Sequence, residues 1–469
     1  MDEQQRSLGV LILAAGKGVR MHSARPKALQ PLLEEPVIFY PLSAAAGAGI
    51  ENIAVIVGYQ GALVEDYIEK EWPGVEIIWQ REQLGTGHAV KSAMDWWKRF
   101  DNLLVLSGDV PLIRAETIRE MLARHENSSP RCTLMSFVAD DPSGYGRIVR
   151  LADGGVRIVE ESDAAEEELF IQEINAGVYL FDAASLSVVI NDLTSDNELG
   201  EYYLTDTIQL IDETEGDISV VICDDPQELL GVNTPGDLAS ASKVLGERII
   251  KSHMQNGVKC MDPSSTWIGP RVECEPDVFL EPGVQVWGKS RLCERSRVGA
   301  WSTLRGVTLG RGSAVLGPSV LADSDIGPGS EVGPFAFLRG GVKLESGAKV
   351  GRFVEVKNST LGENVKAMHL SYIGDASIGR DTNIGAGTIT CNYDGRGKNR
   401  TSIGEGCFVG SDTMLVAPVA MGDNSATAAG SVITKDIPGG ALGVARGRQT
   451  NIEGWNGRKP AAGGKDSEG

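Results

Sequence analysis

Apolar and polar residues follow two different periods along this chain. Up to about residue 250, short apolar runs recur at 10–14, 53–57, 75–79, 103–106, 132–138, 176–181 and 218–222. Runs of that length predict strands buried in a sheet. Helix-like stretches lie between several of them, including 87–100 and 115–125. Such alternation predicts an α/β domain around a largely parallel sheet. Ligands of such sheets bind beyond the carboxyl ends of the strands, so chemistry is expected in the loops that follow them. The helical stretch at 238–255 reads as a connector.

The second half reads in sixes. Ile326, Val332, Leu338, Leu344, Val350 and Val356 form one series. Ile378 and Ile384 resume it, followed by Ile403, Val409, Leu415, Met421, Thr427 and Ile433. Glycine often follows the apolar position, as in Ile326-Gly327, Val332-Gly333 and Ile403-Gly404. One apolar residue in six predicts a parallel β-helix of hexapeptide repeats, with that residue pointing inward. Three hexads make one triangular coil. The stretch 263–438 is long enough for close to ten such coils. At the ordinary strand spacing the prism would be about 48 Å long. The period breaks at Cys391-Asn392-Tyr393-Asp394-Gly395-Arg396-Gly397-Lys398-Asn399-Arg400. A polar insertion of this kind loops out of a repeat, often on its binding face.

Composition supports the division. Of 58 glycines, 21 fall in residues 1–250 and 37 in the remainder. The net charge is −20, from 44 Lys+Arg against 64 Asp+Glu. That argues against a general nucleic-acid or anionic-membrane binder, while leaving room for a small anionic substrate held by local cations. No apolar run is long enough to span a bilayer, and the run 9–15 reads as a strand and not as a signal peptide. The seven cysteines, 132, 223, 260, 274, 293, 391 and 407, are scattered without a C-x-x-C pair. Neither a disulfide framework nor a structural zinc site is expected, which favours a reducing cytoplasm.

Three loops of the first half carry candidate chemistry. Leu13-Ala14-Ala15-Gly16-Lys17-Gly18-Val19-Arg20-Met21 follows the first strand. Its small residues let backbone N–H groups approach a phosphate, and Lys17 and Arg20 bring positive charge. It is neither a Walker A loop nor a dinucleotide fingerprint, since no Gly-Lys-Ser/Thr closes it and Met21 replaces the third glycine. A tight strand-to-helix turn would look much the same. Pro26-Lys27 comes shortly after, where a lysine can reach a phosphate being transferred. In Gln80-Arg81-Glu82-Gln83-Leu84-Gly85-Thr86-Gly87-His88, Gly85 and Thr86 suit close approach to a flat ligand. The Gln80 amide can match the edge of a base. His88 reads as a capping or packing residue and not as a catalyst. In Leu106-Ser107-Gly108-Asp109, the acid stands just past an apolar strand, where it is a natural magnesium ligand or a turn residue.

These elements together resemble the sugar nucleotidyltransferases, which join a nucleoside triphosphate to a sugar 1-phosphate. The likeness continues through Gly144-Tyr145-Gly146-Arg147, Glu160, Ile174-Asn175-Ala176-Gly177 and Gly231-Val232-Asn233, covering about residues 8–235. Val19 departs from it where threonine is usual, and Ser107 where an aromatic residue is usual. The solenoid contains Lys366-Ala367-Met368-His369-Leu370-Ser371-Tyr372, then Asn383-Ile384-Gly385-Ala386-Gly387 and Asn392-Tyr393-Asp394-Gly395. With both halves collinear, the chain resembles the bacterial bifunctional N-acetylglucosamine-1-phosphate uridyltransferase/glucosamine-1-phosphate N-acetyltransferase family. Met368, in place of a small residue, and Gly340, in place of proline, are departures there.

The resemblance implies an α/β Rossmann-like nucleotidyltransferase domain at 1–235 and a helical linker at 236–260. A left-handed parallel β-helix with a C-terminal extension would follow at 261–454, with a disordered tail at 455–469. It implies acetyl transfer from acetyl-CoA to glucosamine 1-phosphate, then uridylyl transfer from UTP to N-acetylglucosamine 1-phosphate. The product, UDP-N-acetylglucosamine, feeds peptidoglycan and lipopolysaccharide synthesis. Leu13, Ala14, Ala15, Gly16, Lys17, Arg20, Lys27, Gln80, Gly85, Thr86, Gly146, Glu160, Asn175 and Asn233 would bind nucleotide and sugar. Asp109 and Asn233 would hold Mg²⁺, and Lys27 would stabilise the transferred phosphoryl group.

In the solenoid, His369 would be the general base, a role that suits imidazole near neutral pH. Glu355 would support it, from an adjacent strand or from a neighbouring chain. Arg339 and Lys357 are separated by one full coil and would converge on the sugar phosphate. Tyr372, Asn383 and Asn392 would hold the sugar. Ala386, Ser411, Ala429 and Arg446 would line the coenzyme A groove. Asn392 and Tyr393 also count on the acetyl-CoA side, and a backbone N–H near Tyr393 would stabilise the oxyanion. A homotrimer is expected by analogy with hexapeptide acyltransferases. Two rival readings remain: a single-activity nucleotidyltransferase with a structural or regulatory β-helix, and a non-catalytic assembly subunit.

Overall fold

The computed structural model describes residues 7–152 and 154–455. The chain divides into two compact units, with the boundary between Arg248 and Ile249. The helix Pro235–Gln255 carries the chain from one to the other. The tail expected from 455 lies, past Trp455, outside the described residues.

The first unit is built on β1 (Leu8–Ala14), β2 (Ile53–Val57), β3 (Glu76–Trp79), β4 (Asn102–Ser107), β5 (Cys132–Val138), β6 (Glu173–Asp182) and β7 (Ile218–Ile222). Their order is β7-β5-β6-β4-β1-β2-β3. All pairs are parallel except those of β6, which runs antiparallel to β4 and β5. Continuous apolar runs are needed because both faces of the sheet are covered. Val10 and Ile12 of β1 enter one core cluster, and Leu11 enters the other. Leu104 and Leu106 of β4 divide from Leu103 and Val105 in the same way, as the period of two along a strand requires.

The helix expected at 87–100 is instead two, Thr86–Ser92 and Met94–Trp97. Ala93 interrupts them at φ −98 and ψ 9. The hairpin Arg147–Arg150/Val156–Val159 beside β6 does not stand out in the sequence. Within β6 the register shifts between Asn175 and Tyr179, around Gly177 at φ +68.

The second unit is a left-handed parallel β-helix of hexapeptide repeats, its strands running from Lys259–Cys260 to Leu442–Gly443. Its interior is a column of aliphatic side chains, including Leu304, Val315, Leu338, Val356 and Val409, each with no solvent exposure. Leu361, Ala367 and Ile373 continue the column between the two series visible in the sequence. They escape the rule of sixes because the steps 356–361 and 373–378 are each one residue short.

The coils are therefore not uniform in length. Arg339↔Lys357 pairs across a full coil, whereas Lys357↔Gly374 and Arg352↔His369 pair across a coil shortened by one. The shortened side closes through left-handed residues stacked at one edge: Gly306, Asp323, Asn358 and Asp375, at φ 62, 46, 45 and 51. Asn and Asp tolerate that conformation better than other side chains. Gly340 and Gly341 occupy the same edge at φ 68 and 84, where the pair Ser324↔Val342 again spans a full coil. Proline, fixed near φ −65, could not take the conformation of Gly340. Across the 391–400 insertion the offset widens, as in Ala376↔Thr401.

Candidate active sites

The carboxyl ends of β1, β3 and β4 bring the first site together. Gly108 N donates to Leu13 O at 2.9 Å, and Tyr59 N to Ala15 O at 3.1 Å. The turn after β1 is thereby pinned to both neighbours. Gly16 is exposed, and a Cβ built on it meets no atom within 4 Å. Packing therefore leaves that backbone open to a ligand. Lys17 Nζ stands 5.5 Å from the Tyr59 ring centroid.

Lys27 is the centre of the arrangement. Its Nζ is ion-paired with Asp109 Oδ2 and donates to Asn233 Oδ1 at 2.7 Å. Arg20 Nη2 donates to the same Asn233 oxygen at 2.9 Å. Asn233 is itself fixed, because its N–H donates to Asp237 Oδ2 at 2.9 Å. Thr234 and Asp237 cap the following helix reciprocally, with Thr234 N→Asp237 Oδ2 at 2.8 Å and Asp237 N→Thr234 Oγ1 at 3.2 Å. Val232 N bonds Asp109 O at 2.8 Å, joining the two acceptor loops. Two hard oxygens, from Asp109 and Asn233, thus face one cationic point. That suits a divalent ion of the magnesium type, which keeps few protein ligands and takes the rest from water and phosphates. Among the described residues there is no cluster of three His, Cys, Asp or Glu with metal-binding geometry.

Around the expected base pocket, Gln80 is buried. Gly85 and Gly87 have structural reasons to lack side chains: a Cβ on either would fall 2.5 or 3.0 Å from Tyr202 O. Thr86 Oγ1 accepts from Leu204 N at 3.0 Å, so its hydroxyl is tied to the scaffold. Around the expected sugar pocket, Asn175 N donates to Gly146 O at 2.9 Å. A Cβ on Gly146 would lie 3.4 Å from Glu160 Oε2. The other Glu160 oxygen, Oε1, accepts from Thr205 Oγ1 at 3.0 Å. Asn175 Nδ2 donates to Tyr179 Oη at 2.6 Å. Burial pushes the Glu160 carboxyl above its ordinary value, and the negative charges of Asp206 and Asp163 add to this. Ser107 Oγ lies 3.4 Å from Gly177 O, and a Cβ on Gly177 would fall 2.9 Å from that hydroxyl.

The second site runs along the β-helix. Arg339 and Lys357 are direct partners in register. Glu355 accepts from Arg339 Nη2 at 2.7 Å and from Nε at 3.2 Å. Glu355 faces Tyr372 in the next coil, whereas His369 faces Arg352. The prism edge at Phe353 and Leu370, with φ 58 and 38, separates these two pairs. The structure therefore does not bring Glu355 to His369 within the chain; its carboxylate is held by Arg339.

His369 begins a column. The registers Lys366↔Asn383 and Ala367↔Ile384 carry it toward Ala386. Asp412 N donates to Ala386 O at 2.7 Å, Gly430 N to Ser411 O at 2.8 Å, and Arg446 Nη1 to Ala429 O at 2.8 Å. Ala386, Ser411, Ala429 and Arg446 thus stand one above the next.

The insertion folds back on the phosphate side. Tyr393 bridges Lys398 antiparallel. Asn392 Nδ2 donates to Asp375 and reaches Tyr372 Oη at 3.4 Å. Lys398, which no motif in the sequence marks, stands beside Lys357. Two ammonium groups side by side, with Arg339 adding charge, lower the Lys357 pKa. Burial opposes ionisation of Asp375, but donors from Asn358 and Asn392, with Lys398 and Lys357, hold it below its ordinary value. Lys398 lies inside the looped-out insertion, which is the one available signal for it.

No disulfide joins the seven cysteines. Among the described residues, no helix is long and apolar enough to cross a membrane.

Comparison with known proteins adds a family. Residues 10–167 match the MobA-like NTP transferase domain, and residues 400–435 match the hexapeptide repeat of succinyl-transferase. A relative named bifunctional protein GlmU from Corynebacterium efficiens is 42% identical over 97% of this chain and 95% of its own. One of the same name from Caldanaerobacter subterraneus is 42% identical over 95% of this chain and 96% of its own. Another, from Streptomyces avermitilis, is 41% identical over 97% of this chain and 95% of its own.

Proposed function

The chain belongs to the family of bifunctional GlmU proteins, and on that premise we propose how its residues divide two reactions of UDP-N-acetylglucosamine biosynthesis. The chain is an acetyltransferase and a uridyltransferase in one polypeptide.

In acetyl transfer, the amine of glucosamine 1-phosphate attacks the thioester carbonyl of acetyl-CoA. His369 accepts the amine proton as the C–N bond forms, and the C–S bond breaks to release the thiol. Arg339, Lys357 and Lys398 bind the sugar phosphate, Tyr372 and Asn383 hold the sugar with Asn392, and the column Ala386–Ser411–Ala429–Arg446 seats the coenzyme. A backbone N–H near Tyr393 receives the oxyanion. Glu355 supports the imidazole from a second copy, since within one chain the prism edge at Phe353 and Leu370 lies between them.

In uridylyl transfer, a phosphate oxygen of N-acetylglucosamine 1-phosphate attacks the α-phosphorus of UTP. The bond to the β-phosphate breaks and pyrophosphate leaves. The Leu13-Ala14-Ala15-Gly16 backbone approaches the phosphates, Lys17 and Arg20 hold the leaving pyrophosphate, and Lys27 neutralises the transferred group. Gln80, Gly85 and Thr86 face uracil, while Gly146, Glu160 and Asn175 face the sugar. Members of this family depend on a metal; Asp109 and Asn233 would hold Mg²⁺, which supplies charge neutralisation among the phosphates.

We assign the enzyme to the cytoplasm as a homotrimer. The prism edge that carries Leu370 beside His369 also carries Trp301, Phe335 and Phe353, which are 65%, 68%, 53% and 59% exposed in that order. The Phe335 and Phe353 rings stack at 5.3 Å. An apolar ridge of this kind suits burial against a second copy.

The observation that carries the reading is the convergence of Lys27, Asp109, Asn233 and Arg20 in one unit, while His369 opens the coenzyme column in the other. Purified protein given glucosamine 1-phosphate and acetyl-CoA should release free thiol, and with UTP added, pyrophosphate. Pyrophosphate release from N-acetylglucosamine 1-phosphate without any thiol release would favour a single-activity enzyme with a structural solenoid. Loss of both would favour a non-catalytic subunit.

A further inference from the structure

His88 has no part in either reaction as described, yet its ring touches the residue that faces the base. Gln80 Nε2 donates to Gly85 O at 3.0 Å and lies 3.1 Å from His88 Nδ1. A carbonyl oxygen only accepts, so the Gly85 contact fixes which end of the amide carries nitrogen. The second amide hydrogen then has a partner only if His88 Nδ1 is the unprotonated ring nitrogen, with the proton on Nε2. Gln80 Oε1 is left as an acceptor without a hydrogen-bond partner among the described residues, and it is not one of the buried orphan atoms.

His88 sits in the helix Thr86–Ser92, its ring 6.4 Å from the Tyr202 ring. Gly87 N donates to Tyr202 O at 2.8 Å, and a Cβ on Gly87 would fall 2.6 Å from Leu193, so the start of the helix is tied closely to that neighbouring loop.

We propose that His88 is a positioning residue that fixes the orientation of the Gln80 amide and so makes this site prefer uracil over cytosine nucleotides. The proposal rests on Gln80 facing the base. Uracil carries an N3–H donor, and cytosine carries an acceptor at the same atom. An amide presenting Oε1 accepts from the first and repels the second. Without the imidazole one of two anchors is lost, and only the Gly85 carbonyl then opposes a turn of the NH₂ outward, the orientation that suits cytosine.

The test is steady-state uridylyl transfer with UTP and with CTP. His88→Phe should lower the UTP/CTP ratio of kcat/KM about fivefold, the worth of about one hydrogen bond. The change should lie in KM for UTP and leave kcat at saturation largely intact. His88→Asn, whose side-chain oxygen can accept where Nδ1 does, should restore the ratio. A folded His88→Phe enzyme with the wild-type ratio overturns the proposal, as does failure of His88→Asn to differ from it. Gln80→Ala separates the two levels: if it leaves the ratio unchanged, the reading of Gln80 as a base contact falls and takes this proposal with it. If it collapses the ratio and His88→Phe does not, only the role of His88 falls. Should His88→Phe not fold, the imidazole ¹⁵N shifts of the wild type must show Nδ1 unprotonated, and a protonated Nδ1 overturns the proposal.

Discussion

Gly18 determines where Lys27 can stand, and its replacement by alanine shows how much that placement matters. Gly18 sits at φ +59. A Cβ built there falls 2.6 Å from Lys27 Cβ and 3.3 Å from its Cγ and Cδ. Carbon atoms in contact rest about 3.5–4.0 Å apart, so about 1 Å of movement is demanded. The obstructed atom is the root of the lysine side chain, so rotation of its far end gives no relief. The left-handed conformation adds about 1–2 kcal/mol once a Cβ is present. A shift of about 1 Å at a reacting group can lower a rate about 100-fold. Gly18→Ala should therefore reduce kcat for uridylyl transfer about 100-fold, measured as pyrophosphate release. For a unit of this size Tm should fall by about 2–8 °C. Acetyl transfer, measured as thiol release, should be unchanged. Gly16→Ala is the matched comparison: it meets no protein atom within 4 Å, so it should keep the wild-type Tm and raise KM for UTP. Wild-type uridylyl kinetics in Gly18→Ala would refute the view that this glycine sets the position of Lys27.

Other outcomes follow from the same geometry. Burial, with Asp206 and Asp163, raises the Glu160 carboxyl pKa, so the folded state holds that proton more tightly than the unfolded chain. Glu160 thus costs stability increasingly as pH rises from the ordinary carboxylate range through its raised value. Glu160→Gln should raise Tm at neutral pH, lose that gain near about pH 4, and raise KM for N-acetylglucosamine 1-phosphate; an equal gain at both pH values in thermal melts would contradict this. Lys398→Met should raise KM for glucosamine 1-phosphate. Because Lys398 depresses the Lys357 pKa, the variant should also move the alkaline limb of that binding to higher pH, as a pH–KM series would show. Phe353→Asp places a charge on the exposed edge ridge and should give monomers by light scattering, with acetyl transfer lost and uridylyl transfer kept.

The sheet strands are legible because burial on both faces writes continuous apolar runs, and β2, β5 and β7 match those runs end to end. The hairpin Arg147–Arg150/Val156–Val159 is not, since each strand is only four residues long and the charged Arg147 is buried within it. The solenoid announces itself through Ile, Val or Leu at nearly every sixth position. Its shortened coils stay hidden, because a side that is one residue short looks like a lapse until Asn358 and Asp375 are seen turning left-handed at one edge. Lys27, Asp109 and Asn233 can be picked out by motif, but their meeting at one ammonium cannot, because it depends on Val232 bonding back to Asp109. Glu355 shows the limit of spacing arguments: less than one coil before His369, it faces a different side of the prism. Lys398 and Thr205 act on residues far away in sequence; the break in the repeat at 391–400 is the one local signal for the first, and no local pattern points to the second.

The central claim is that polyphosphate chemistry and amine deprotonation occupy separate pockets of one chain. The most direct measurement assays both activities in Asp109→Ala and His369→Ala. Pyrophosphate release should vanish in the first while thiol release persists, and the reverse should hold in the second. A single substitution that abolishes both activities in a folded protein, or neither, would contradict the account.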